Sequence, residues 1–166
     1  MERAARAEAV NDVQRGGFKV KVPSNVAELL RDLVSTFPDI EEIWLLGSRA
    51  EGTESAASDW DLLVFSGDRV TPEMVAPMER FSPEWFDVFF VNGDHFVRPW
   101  RRLKDGAVKD GWLSRWKWRR DANDPDRATY CANASKANRT SGTKPAIRIW
   151  CRPGGWSPSA SVATQR

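Results

Sequence analysis

Histidine and cysteine are almost missing from this 166-residue chain, which has one His and two Cys. Cys131 and Cys151 lie in a polar region, and with a single His they make neither a zinc set nor a disulfide framework. The lone His95, in "NGDHF", reads as a polar residue at a strand exit, and no Ser-His-Asp arrangement can be assembled around it. Long apolar runs are missing too. None reaches the roughly 18 residues that a membrane helix needs, so no span and no membrane partner are expected. The first residues, "MERAARAEAVNDVQRGG", mix acids and bases and lack an apolar stretch. They do not read as a signal peptide, and the cytoplasm is the expected compartment. No internal repeat is present.

What is there is an ordinary globular composition, 41% hydrophobic and 29% charged, in a length that suits one domain. The net charge of +2 hides a strong asymmetry. Residues 1–95 hold 9 basic and 18 acidic side chains, a balance of −9. Residues 96–120 hold 9 and 2, a balance of +7, and residues 121–166 hold 7 and 3, a balance of +4. An acidic body with a basic extension can hold an acidic partner or a polyanion near a site.

Residues 2–15 suit a short charged helix, and "FKVKV" alternates as a half-buried strand before Pro23. Ser24 is the expected cap of the next helix, in which Val26, Leu29, Leu30, Leu33, Val34 and Phe37 form one apolar face. "IEEIWLLGS", "DWDLLVFS" and "EWFDVFFVN" read as three strands, with a short helix expected at about 72–81 after Thr71-Pro72. The pattern predicts an α/β (α+β) fold, a small mixed sheet covered by helices. It divides the chain into an N-terminal extension over 1–23, a core domain over 24–112 and a basic, disordered tail over 113–166.

Two carboxylates carry the chemistry. Asp59 and Asp61 are separated by one residue at the mouth of a strand, so their side chains share a face while Trp60 turns away. Carboxylates this close repel unless a cation lies between them, and hard oxygen ligands suit Mg²⁺. Gly47-Ser48 stands where the preceding strand ends, a place where backbone N–H groups and a hydroxyl can cradle phosphate. Asp87 interrupts the apolar "WFDVFFV", and an acid in a core strand needs a partner or a metal.

Gly47-Ser48, ten residues from Arg49 to Ser58, Asp59-Trp60-Asp61 and the later Asp87 form one pattern. It resembles the minimal nucleotidyltransferase domains of the DNA polymerase beta superfamily. The resemblance covers roughly residues 24–95. It implies that Asp59 and Asp61 bind two Mg²⁺ ions, that Asp87 ligates the second ion or takes the acceptor's proton, that Gly47 and Ser48 hold the phosphates of ATP, and that Arg49 and Ser58 flank the nucleotide. It further implies transfer of a nucleoside monophosphate, AMP from ATP, to an acceptor. The minimal type looks like the antitoxin half of toxin–antitoxin pairs, whose acceptor is a HEPN-type toxin protein. Glu51 departs from the pattern, standing where relatives often carry a basic residue, and "KDGAVKDGW" matches the family's last strand only in part.

Two other readings stand beside this one. A docking module would use the tryptophan-rich basic segment 96–120 as its interface. An antibiotic-modifying transferase would want a larger acidic domain to bind a polycation. Nucleic acid is not the expected partner, because the basic segment holds no recognisable nucleic-acid motif.

Overall fold

The computed structural model describes residues 22–67, 70, 71, 74, 78, 81, 83–102, 108–131 and 142–152. The expected helix over 2–15, nearly all of the "FKVKV" strand, most of the helix at 72–81 and the end of the tail lie outside these residues.

Helix α1 runs over Ser24–Thr36 and buries Val26, Ala27, Leu30 and Leu33. The expected apolar face is thus the one that meets the sheet, with Leu29 and Val34 packed at its margin. Ser24 is the first helical residue rather than the cap, a position taken by Pro23 without a side-chain bond. Eight strands follow among the described residues, β1 (Ile40–Leu46), β2 (Trp60–Ser66), β3 (Phe86–Asn92), β4 (His95–Arg102), β5 (Val108–Trp112), β6 (Arg119–Arg120), β7 (Arg127–Tyr130) and β8 (Lys144–Cys151). A five-residue helix, α2 (Gly47–Glu51), lies between β1 and β2. The strands form a single sheet in the order β5-β4-β3-β2-β1-β8-β7-β6. Only β2 and β3 are parallel, so the fold is a mixed α/β fold. A parallel pair needs a crossover, and residues 67–85 supply it.

The sheet has two apolar faces. Ile43, Leu45, Leu62, Val64, Val88 and Phe90 pack under α1. Trp44, Leu46, Leu63, Phe89, Val91, Phe96, Trp116 and Tyr130 form the second core. The sheet curls over this second face until the turn after β5 meets the end of β7, where the Cys131 N–H donates to the Trp116 carbonyl at 2.6 Å. Strands β1 to β3 are buried on both faces, which is why they read as near-continuous apolar runs.

The C-terminal part of the chain corrects the expectation of a disordered tail from 113 onward. Residues 119–120, 127–130 and 144–151 are strands, and β8 is seated between β1 and β7. Its Ala146, Ile147 and Ile149 are buried, and Arg148 reaches the buried Glu42 of β1 at 2.8 Å. Glu42 is 3% exposed and also meets Arg120 at 2.6 Å and the Trp44 indole N–H at 2.9 Å. A buried carboxylate stays charged only with such partners.

Segment 96–120 does not present a row of tryptophans. Trp116 is buried against Phe89 and Phe96, Trp118 meets Trp44 edge to face, and Trp100 packs on Phe81 and Phe90. Trp112, 48% exposed, is the one fully outward tryptophan among the described residues of this segment. The strand expected near 104–112 is β5, and its Lys109 interrupts the apolar pattern because it belongs to the site.

Candidate functional site

The site is built where β1 turns into α2. Gly47 has φ +68°, and a Cβ added there would lie 2.5 Å from Asp61 Oδ2. Glycine is therefore required twice, for the backbone angle and for the close approach to the carboxylate. Gly47→Ala is expected to destabilise the protein by about 1–2 kcal/mol from backbone strain alone, with a further loss from crowding Asp61. Gly52 has a similar φ, +71°, but open space around it. Thermal unfolding of Gly47→Ala and Gly52→Ala checks this, and equal Tm losses in the two would show that Asp61 does not crowd position 47.

Asp61 and Asp87 are Cα partners across the parallel β2–β3 pair, so their side chains stand side by side on the second face. Asp87 is buried, at 5% exposure, and Arg98 of β4 grips both of its oxygens. Arg98 Nε donates to Oδ1 at 2.6 Å, and Nη2 contacts Oδ2. Lys109 of β5 is the Cα partner of Arg98. Its ammonium lies 5.4 Å from the centre of the Phe89 ring. Asp61, Asp87, Arg98 and Lys109 thus form a row across four neighbouring strands, two acids followed by two bases. Burial, and then the charge of Arg98, push the Lys109 ammonium below its ordinary pKa, while Asp87 and Asp61 act the other way.

The residues expected to flank the nucleotide hold the loop that leads into β2. Arg49 Nη2 donates to the Ser58 carbonyl at 2.6 Å, Nε reaches the carbonyls of Ser58 and Asp59 at 3.2 Å, and the guanidinium stacks on Trp60 at 4.6 Å. Ser58 Oγ accepts the Ser55 N–H at 2.9 Å, and the Ser48 carbonyl accepts the Thr53 N–H at 2.9 Å. Arg49 and Ser58 therefore position the entry to β2. Asp59 is exposed, one residue before that strand. Among the described residues no three His, Cys, Asp or Glu side chains are grouped for a metal. Asp59 and Asp61 fit a divalent cation by residue type and spacing. Asp87 already carries the Arg98 guanidinium on both of its oxygens.

Four residues that sequence reasoning passed over belong here. Besides Arg98 and Lys109, Tyr130 of β7 accepts the Gly47 N–H at 3.0 Å. Burial pushes its phenol above the ordinary pKa, and the charges of Asp61 and Glu51 add to that. Lys144 of β8 meets Glu51 at 2.8 Å. The acid that departs from the family pattern is thereby neutralised from the far end of the chain. Tyr130 is the chain's one tyrosine, and that was the only signal available for it. His95 lies at the start of β4, 3.3 Å from Asp110, and takes no place in the row.

Residues 26–105 match the family model of the nucleotidyltransferase domain. The match covers β1 to β4 and every site residue expected from the sequence, and it supports a transferase that moves a nucleotidyl group. It ends before Lys109, Tyr130 and Lys144. The chain is also similar to a candidate nucleotidyltransferase from Sulfolobus solfataricus whose crystal structure was solved at 1.40 Å. The two are 24% identical over 51% of this chain and 73% of that one, with a TM-score of 0.36. No curated protein matches the chain. No helix among the described residues is long and apolar enough to cross a membrane.

Proposed function

We propose that this chain is a Mg²⁺-dependent nucleotidyltransferase that moves AMP from ATP to a partner protein of the HEPN type. The observation that carries the reading is the placement of Asp61 beside Asp87 on the parallel pair, with the Gly47 turn packed against Asp61. Asp59 and Asp61 would hold Mg²⁺, whose charge would stabilise the phosphate oxygens of an in-line displacement. Gly47 lets the turn lie directly against the Asp61 carboxylate, where any side chain would clash. Arg98 and Lys109 place positive charge beside the acids, where it can meet phosphate. Tyr130 fixes the Gly47 peptide and keeps its own O–H for another acceptor. The protein acceptor is carried by the resemblance to minimal nucleotidyltransferases, which commonly work on such partners.

The test is incubation with α-labelled ATP and Mg²⁺, offering a HEPN-type protein, total lysate protein and an aminoglycoside as acceptors. Label on a protein is the expected result. Label on the aminoglycoside alone would replace the acceptor class. A second reading, a docking module with a weakened site, is favoured by the Arg98 grip on Asp87. Metal-dependent ATP binding with no label on any acceptor would favour that reading.

A further inference from the structure

The resemblance implies two cations and Asp87 as a third ligand, and Asp87 departs from that pattern. We propose that the site takes one divalent cation, at Asp59 and Asp61, and that the Arg98 guanidinium stands at Asp87 in place of a second. The inference rests on the nucleotidyl-transfer reading of the same site.

Three observations carry it. Asp87 is buried and both of its oxygens are engaged, so a second cation would have to share them with the guanidinium, like charge against like. Arg98 is itself held in place. It lies over the Phe89 ring at 5.5 Å and its backbone is paired to β5, so no loop movement carries it away. The charge balance points the same way. Asp59, Asp61 and Asp87 bring three negative charges, and Arg98 and Lys109 return two positive ones. One divalent cation takes these five side chains to a net +1 and a second takes them to +3. The second would bind beside a guanidinium and an ammonium that are both partly buried, where like charges repel more strongly than in water.

The experiment is a calorimetric titration of the full chain with Mn²⁺ alone, joined by electron paramagnetic resonance to detect coupled pairs of ions. The wild type is expected to bind one Mn²⁺ with no Mn–Mn coupling. Asp87→Asn, which keeps the side chain's shape, is expected to leave stoichiometry and affinity within about twofold of wild type. Asp61→Asn is expected to lose the ion. Arg98→Ala frees Asp87 and is expected to raise the stoichiometry to two. Should that variant fail to fold, Asp87→Asn still decides, because loss of the single ion there would make Asp87 a ligand and overturn the proposal. Two coupled ions in the wild type would also overturn it. An absence of any ion in the wild type would overturn both this inference and the Mg²⁺-dependent reading. One bound ion with no nucleotidyl transfer would sink the transferase reading alone and leave the assignment of Arg98 standing.

Discussion

A chain cut after Arg120 will not fold: it will show no cooperative thermal transition and no sharp near-ultraviolet circular dichroism. The cut removes β7 and β8, and β8 is the strand that completes β1 on the side away from β2. Ile147 and Ile149 leave the core under α1, and each such side chain is worth about 1.5–3 kcal/mol of burial. Glu42 loses Arg148, and removing one partner of a buried ion pair costs about 3–5 kcal/mol. Its other partner, Arg120, loses β7, the strand that pairs with β6. These losses together rival the roughly 5–15 kcal/mol that stabilises a whole domain. A fragment of residues 1–120 that melted sharply would restore the reading of the C-terminal part as a dispensable tail.

Asp61→Asn will remove nucleotidyl transfer while leaving the fold intact. Asp61 is only half-buried and keeps its shape as Asn, so the Tm is expected to move by no more than a few degrees. In the proposed chemistry it is the charge that would hold the cation. It faces the Gly47 turn, stands beside Asp87 and is one of the two carboxylates read as metal ligands. A loss of at least about a thousandfold in the rate of label transfer is expected, equal to about 4 kcal/mol in the barrier. The label assay, run beside circular dichroism on the same preparation, measures both. A variant that kept transfer within tenfold of wild type would exclude Asp61 from the chemistry.

Local signals explain what could be read from the sequence. The face of α1, the three central strands and the Gly47-to-Asp61 spacing are all written within short windows, and the structure has them at the expected places. Asp87 was legible because an acid inside an apolar strand demands a partner, although the partner proved to be Arg98. Strand β8 was not legible. Its sequence, "KPAIRIWC", alternates because one face meets the core under α1 while the other carries Arg148 to Glu42. A central strand with an ion pair on one face looks like a solvated one. Its partner lies about a hundred residues earlier, and pairing over that distance leaves no local trace. Arg98, Lys109, Tyr130 and Lys144 reach the site through sheet register alone, which no spacing in the chain announces.

The seat of β8 also governs the order in which the molecule can be born. On the ribosome, β1 emerges about a hundred residues ahead of the strand that must lie beside it. Until β8 leaves the exit tunnel, β1 is an exposed edge of unpaired peptide groups beside Ile43 and Leu45, the kind of surface on which nascent chains pair with one another. Contacts this distant in sequence close slowly. The pairing of β1 with β8 is therefore a late closing step of folding, and it cannot begin before β8 has been made.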